Sequence, residues 1–121
     1  MQATICMRRG RKDLKMAREV DIEKCLVQEI KKAGGVAYKW VSPGNNGVPD
    51  RIVILPGKAP VFVELKTDDG KLSPVQEVQI KKLRGLKQEV RIVYGYIGLA
   101  AFFDELNMTA AVLRTRKKAL K

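Results

Sequence analysis

Apolar residues recur at two spacings along the chain, and each spacing predicts one kind of element. Between residues 21 and 33, Ile22, Leu26 and Ile30 recur at the spacing of one helix face. Gly34-Gly35 predicts the end of this helix, because glycine accepts a left-handed cap. Apolar and β-branched runs predict strands at residues 36–41, 51–55, 61–65 and 90–96, and a last helical period predicts a helix over residues 99–106.

Turn-forming residues separate these elements. Residues 42–47 read Ser-Pro-Gly-Asn-Asn-Gly and predict a loop, while Pro-Gly-Lys at 56–58 joins two strands into a hairpin. Ser73 and Pro74 are typical of an N-cap and a first helical position, and that helix is predicted to end within residues 83–86. The order of elements predicts an α/β fold, with a small mixed β-sheet flanked by helices.

Length and composition indicate one domain with two basic ends. The 121 residues suffice for one core, and no apolar run approaches the ~20 residues of a membrane span. Residues 1–18 lack the apolar region of a secretory signal and predict a flexible arm or a frayed helix start. Residues 19–113 are the predicted domain and residues 114–121 a solvated basic tail. Two cysteines are too few for a disulfide framework, which favours a cytoplasmic setting.

The charge balance predicts a polyanionic partner. Lysine and arginine total 24 against 13 acidic residues, a formal net charge of +11. Nucleic acid is the commonest partner for such an excess, and an anionic membrane surface is the weaker alternative. The chain has no histidine, which excludes an imidazole base and argues against structural zinc. The remaining chemistry is that of carboxylates, lysine and a hard metal ion, without a small-molecule cofactor.

Three charged residues are predicted to share one face of the hairpin. Side chains alternate along a strand, so Glu64 and Lys66 point to the same side. A three-residue turn at 56–58 would place Asp50 opposite Glu64, and a five-residue loop would place it opposite Lys66; both registers put Asp50 on their face. A solvated surface pair is the other interpretation of a Glu-x-Lys pattern, and the pattern alone favours it.

This face predicts a divalent metal site. Two carboxylates brought within ~4 Å repel by roughly 4 kcal/mol at an effective dielectric near 20, and a cation relieves both charges. Asp50, Glu64 and the Leu65 carbonyl offer the few oxygen ligands that magnesium takes besides water. Such an ion would polarise a phosphate oxygen and activate a bound water. Lys66 is suited to orient that water or to stabilise charge on phosphorus.

The order of these motifs resembles a known family, the virus-type replication-repair nuclease (VRR-NUC) domain of the PD-(D/E)xK restriction-endonuclease-like superfamily. The matching segments are Gly-Val-Pro-Asp-Arg at 47–51, the hairpin at 52–63, Glu-Leu-Lys at 64–66, Ser-Pro-x-Gln at 73–76 and the lead-in at 34–39, within an overall match over residues 19–96. The resemblance implies a restriction-endonuclease-like core and phosphodiester cleavage that depends on Mg²⁺ or Mn²⁺. It also implies action on branched DNA, including Holliday junctions, by a homodimer in bacterial or phage-infected cells.

The resemblance implies two further site residues. The family places a glutamate on the first helix, and both Glu19 and Glu23 fit as catalytic or metal-binding acids; either is also explained as a solvated acid near a helix start. Gln76 is implied to contact phosphate or metal-bound water. A capping box with Ser73 explains Gln76 slightly better, and the two roles are compatible.

Several residues near the motif are predicted to meet DNA or solvent. Lys39, Asn45 and Asn46 are candidates for contact with the DNA backbone, while Arg51 is as well explained as a surface residue. Core packing is the first expectation for Tyr38 and Trp40, with stacking on an unpaired base as the weaker one. The proposed dimer interface, or else a cover for the sheet, is the stripe Leu99, Phe102, Phe103 and Leu106.

The function predicted from these features is structure-selective cleavage of branched DNA. A non-catalytic nucleic-acid-binding module on the same fold is an alternative, which the intact Asp50, Glu64 and Lys66 disfavour. A restriction-type or exonucleolytic DNase is another. Nothing in the chain resembles a helix that reads base edges.

Overall fold

The computed structural model describes residues 17–120, so almost all of the predicted basic arm lies outside the described residues. The elements are α1 (Glu19–Lys32), β1 (Val36–Lys39), β2 (Arg51–Ile54), β3 (Val61–Lys66), α2 (Pro74–Gly85), β4 (Glu89–Tyr94), α3 (Gly95–Glu105) and α4 (Thr109–Ala119). The predicted α/β class, a small mixed sheet flanked by helices, is confirmed. Within residues 17–120, no helix is both long and apolar enough to cross a membrane.

Four strands form one mixed sheet in the order β1-β2-β3-β4. The first three strands pair antiparallel, and β4 lies parallel to β3 after the α2 connection. Arg51 pairs with Val63, which places Asp50 opposite Glu64, the first of the two predicted registers. Asp50, Phe62, Glu64 and Lys66 therefore share one face of the sheet.

The main hydrophobic core lies on the opposite face. Val63 and Leu65 of β3 are fully buried there against apolar side chains of α1, α3 and α4. Burying one such side chain contributes about 1.5–3 kcal/mol, so this core holds α1 and β3 in a fixed relation. On the other face, Ile80 of α2 and Val90 of β4 are buried. Helices α1 and α2, which carry residues of the predicted site, therefore pack on opposite faces of the sheet.

The apolar stripe of α3 belongs to the main core, which makes its predicted role as a dimer interface wrong. Leu99 and Phe103 are fully buried, Phe102 is 4% exposed, and Leu106 is half-buried. Helix α3 begins at Gly95, earlier than the predicted residue 99. Gly95 adopts a left-handed backbone, with φ +63°, and this conformation ends β4 at Tyr94. The alternative reading of the stripe, as a cover for the sheet of its own chain, is confirmed.

The basic segment from Arg114 onward continues a helix, so the predicted solvated tail is wrong for the start of this segment. Thr115 is fully buried, and its hydroxyl oxygen lies 3.8 Å from the Cys25 sulfur. Arg114 donates hydrogen bonds to both carboxylate oxygens of the buried Glu29 in α1, at 2.9 and 2.7 Å. Charged residues dominate this segment of the sequence, so the hydrophobic pattern does not reveal the narrow buried face of α4.

Helix α2 leaves part of the Asp50 face open within residues 17–120. Tyr38 of β1 is 60% exposed there, so the expectation of core packing is wrong for this residue. Trp40 follows β1 and is half-buried, with its ring packed on Phe62 at a centroid distance of 5.2 Å and an interplanar angle of 42°. Aromatic side chains therefore line the sheet beside the predicted site.

Candidate active site

Asp50 is positioned by the loop that precedes β2. Gly47 has φ +85° and lies so close to α2 that an added Cβ would be 2.6 Å from the Val75 side chain and 2.8 Å from its backbone. Asp50 Oδ2 accepts a hydrogen bond from the Leu65 amide at 2.8 Å. The sequence shows a glycine at position 47 but gives no sign of its contact with α2. Gly47 and the Leu65 amide together fix Asp50 relative to both α2 and β3.

Glu64 is the most buried acid of this face, at 1% exposure. Its Oε2 accepts a hydrogen bond from Gln76 Nε2 at 2.9 Å and lies 3.6 Å from Lys66 Nζ. Its Oε1 has no hydrogen-bond partner within residues 17–120. A buried carboxylate oxygen without a partner is costly, so this atom marks a place where a cation or a donor would be favourable.

The electrostatics of the site show an excess of negative charge. The pKa of Glu64 is raised to about 7, mainly by burial and next by the charge of the nearby Asp50, while Lys66 acts in the opposite direction. Burial also raises the pKa of Asp50, although the Leu65 amide stabilises its ionised form. Lys66 alone therefore does not compensate both carboxylates.

The two glutamates of α1 have different surroundings. Burial raises the pKa of Glu19, and the next largest effect is the charge of Asp50; Glu19 in turn raises the pKa of Glu64. The Glu23 carboxylate instead accepts a hydrogen bond from Arg51 Nε at 2.7 Å, although it too raises the pKa of Asp50. The charges of both glutamates thus act on the carboxylates of the site, and the hydrogen bond from Arg51 ties Glu23 to β2.

Arg51 is a structural residue, so the surface role that the sequence left open for it is wrong. Its side chain is 19% exposed, donates to Glu23 through Nε and donates to the Ala37 carbonyl through Nη1 at 3.0 Å. Arg51 therefore links β2 to both α1 and β1, immediately after Asp50. The alternation of side chains places it on the core face, but the sequence does not reveal its partner.

Gln76 has two contacts at once. Its backbone amide donates to the Ser73 hydroxyl, and its Oε1 accepts from the Ser73 amide at 2.9 Å, which completes the predicted capping box. Its Nε2 donates to Glu64 Oε2. The helix start of α2 thus holds the side-chain amide in the orientation that orders Glu64.

The residues predicted to meet DNA lie around the site but make no contact with its carboxylates within the described residues. Lys39, Asn45 and Asn46 are exposed. Asn45 bonds within its own loop, from Nδ2 to the Ser42 hydroxyl at 3.0 Å. Exposure leaves these side chains accessible to a ligand, and their DNA-binding role stays a prediction.

The donor set fits a hard divalent cation that keeps several waters. No group of three or more acidic or cysteine side chains within residues 17–120 converges closely enough to enclose a metal ion. Asp50, with Glu64 Oε1 and the Leu65 carbonyl, offers oxygen ligands on one side. The Leu65 carbonyl points to the same edge of β3 as its amide, which faces Asp50. Magnesium is commonly bound by one or two carboxylates with the remaining positions taken by water.

Comparison with known proteins gives consistent relatives, although no protein-family model matches the chain. The chain is similar to "Putative nuclease p44" of Acyrthosiphon pisum secondary endosymbiont phage 1, at 45% identity over 80 residues, covering 66% of this chain and 86% of that protein. A solved VRR_NUC domain matches with a TM-score of 0.59 and 31% identity, over 64% of this chain and 83% of the other. A second structure, a VRR_NUC domain protein, shares the fold at a TM-score of 0.61 and 14% identity, over 76% and 89% of the two chains.

Fold and relatives together define a nuclease with a restriction-endonuclease-like core. More specifically, the chain belongs to the VRR-NUC family. The family resemblance found in residues 19–96 is confirmed. The catalytic, metal-binding and DNA-binding roles of individual residues stay predictions.

Proposed function

We propose that this protein is an endonuclease that hydrolyses DNA phosphodiester bonds with Mg²⁺ or Mn²⁺. The observation that carries the proposal is Glu64, a fully buried carboxylate with one oxygen unpartnered in the described structure, beside Asp50 and Lys66. A structural role for Glu64 alone would not explain that unpartnered oxygen. A divalent cation compensates the excess negative charge of this face.

Each residue of the site has a role that follows from its position. Asp50, Glu64 and the Leu65 carbonyl would hold the ion, which when bound acts as a Lewis acid toward phosphate and water. Gln76 keeps Glu64 Oε2 occupied and so leaves Oε1 for the ion. Lys66, 14% exposed, is placed to stabilise negative charge on the phosphate or to orient the attacking water. Glu19 adds a carboxylate from α1.

Cleavage of supercoiled plasmid tests this proposal. We expect nicked or linear product with Mg²⁺ or Mn²⁺ and none with chelator, because Lys66 alone does not replace the cation. Calcium at equal concentration is a control, since it takes more oxygen ligands in a looser geometry. DNA binding without cleavage under every metal condition would contradict the proposal and favour the non-catalytic binding module.

We propose branched DNA, including Holliday junctions, as the substrate, rather than the linear ends of an exonuclease or the sequence of a restriction enzyme. The chain has a net charge of +11, and its sequence predicts no helix that reads base edges. Both features favour recognition of the phosphates and the shape of DNA. We expect a four-way junction to bind more tightly than a linear duplex of equal length in a competition titration. Affinity for duplex should fall with salt by about 0.9 log units per log unit of salt for each phosphate neutralised. Equal affinity for junction and duplex would contradict the substrate assignment.

Action as a homodimer in the cytoplasm of a bacterial or phage-infected cell completes the proposal. Symmetric resolution of a junction needs two cuts on opposed strands, and each chain offers one site. The burial of Leu99, Phe102 and Phe103 removes the interface predicted on α3. Exposed apolar residues outside that stripe are the remaining candidates for a contact between copies, among them Ile97 on the outer side of α3 and Leu113 on α4.

A further inference from the structure

Tyr38, Trp40 and Phe62 form a cluster, here called the aromatic platform, on the sheet face that carries the proposed site. Tyr38 and Phe62 both pair with Ile52 in the β1–β2 and β2–β3 registers, so they share its face. The Trp40 amide donates to the Asp50 carbonyl at 3.0 Å, which makes these two residues direct cross-strand neighbours. Side chains in that relation have Cβ atoms roughly 5 Å apart. The platform is therefore continuous with the site.

We propose that the aromatic platform binds an unpaired nucleobase of DNA next to the phosphodiester that is cut. This inference rests on the proposed nuclease function and specifies its substrate: DNA with a base available outside the double helix. Stacking on aromatic rings is the usual way in which proteins hold unpaired bases.

Three observations support a base as the occupant. Tyr38 is 60% exposed on the edge strand β1, so its ring is accessible to a ligand. Trp40 is held at an angle of 42° to Phe62, so Phe62 supports its ring without covering it in a parallel stack. The +11 charge of the chain attracts a polyanion, and the platform adjoins Asp50 on the same face of the sheet. An aromatic surface that continues into a phosphodiester-cutting site matches the two parts of a nucleotide, base and phosphate.

Trp40 provides a direct measurement, because it is the single tryptophan of the chain. The wild-type protein is titrated in chelator with three DNAs: a blunt duplex, the same duplex with a single-stranded end, and that DNA with abasic residues in the single-stranded part. We expect strong quenching of Trp40 fluorescence by the second DNA and not by the other two. The base-bearing end should also bind about tenfold more tightly than the abasic end.

Matched variants separate stacking from other roles of this face. Tyr38→Ala should reduce the ratio of affinities for the base-bearing and abasic ends from about tenfold to about one. Tyr38→Phe keeps the ring and should retain the tenfold ratio. Val36→Ala is the control on the same strand and face, and it should change nothing. Because Tyr38 is mostly exposed, these variants should fold normally.

Two results would overturn the inference. One is equal quenching by base-bearing and abasic ends. The other is an unchanged preference in Tyr38→Ala together with a shift from dimer to monomer in light scattering, which would assign the face to a second copy of the chain. Cleavage of plasmid with Mg²⁺ by the same proteins tests the proposed nuclease function separately. Cutting without base-dependent quenching removes the base-binding role of the platform alone. Quenching without cutting keeps that role but removes the nuclease proposal, and with it the position of the base beside a cut phosphodiester.

Discussion

Replacing Glu64 with glutamine should abolish DNA cleavage and at the same time stabilise the metal-free protein. The substitution keeps the shape and a hydrogen-bond acceptor for Gln76, but it removes the charge that would bind the ion. We expect cleavage of plasmid with Mg²⁺ to fall by roughly 10³-fold. Persistent full activity of Glu64→Gln would remove Glu64 from the site and with it the assignment of this face as the active centre.

The gain in stability should depend on pH in a definite direction. Folded Glu64 keeps its proton up to a pH of about 7, whereas the unfolded chain releases it near the ordinary value of a glutamate. The folded state therefore binds more protons in this interval, and the wild-type protein in chelator should lose stability as pH rises from about 4.5 to about 7. The loss is on the order of 3 kcal/mol at most. Asp50 acts in the same direction, because its pKa is also raised.

Urea unfolding of the metal-free protein at pH 5 and pH 8 measures this effect. Wild type should have the lower midpoint at pH 8, and Glu64→Gln should show a clearly smaller difference between the two conditions, because Asp50 remains. Adding Mg²⁺ or Mn²⁺ at pH 8 should restore wild type and leave Glu64→Gln unchanged, since binding to the folded state alone stabilises it. A pH-independent midpoint for wild type would show that Glu64 is ionised without a cation.

A matched pair of variants should distinguish the roles of the two glutamates of α1 by their effects on cleavage and on stability. Glu19→Gln should reduce cleavage by roughly 10²-fold with no measurable loss of stability, because most of the Glu19 side chain is exposed while the charge of Asp50 still acts on its carboxylate. Glu23→Gln should keep cleavage within a few-fold and lower stability by about 1 kcal/mol, because it weakens the ion pair with the half-buried Arg51.

Plasmid cleavage and thermal melting of both variants measure these two effects in parallel. Glu19→Asp is a useful control, since it keeps the charge on a shorter side chain and should retain part of the activity. The reverse result, loss of cleavage in Glu23→Gln with full activity in Glu19→Gln, would make Glu23 the glutamate that α1 contributes to the site. It would also mean that the Glu23–Arg51 pair opens when substrate binds.

The parts of the fold that could be predicted are those set by short-range pattern. Alternation along β3 places Glu64 and Lys66 on one face, and the hairpin spacing restricts Asp50 to that face. The choice between Glu19 and Glu23 could not be made, because the two are one helical turn apart and only the packing of α1 on the sheet brings Glu23 to Arg51. The exposure of Tyr38 was missed for a related reason: strand alternation predicts a face, but not how far a helix extends over it.

The bonds between α1 and α4 have a consequence for synthesis of the chain. Glu29 pairs with Arg114, which lies 85 residues later in the chain, and Cys25 contacts Thr115, which lies 90 residues later. While the ribosome is still making the segment between them, the first helix lacks both partners, and contacts of such long sequence separation form slowly. Glu19 lies on that helix. We therefore expect α1 to reach its final, stable position only after residues 109–119 have emerged from the ribosome, which would delay the assembly of any site to which Glu19 contributes.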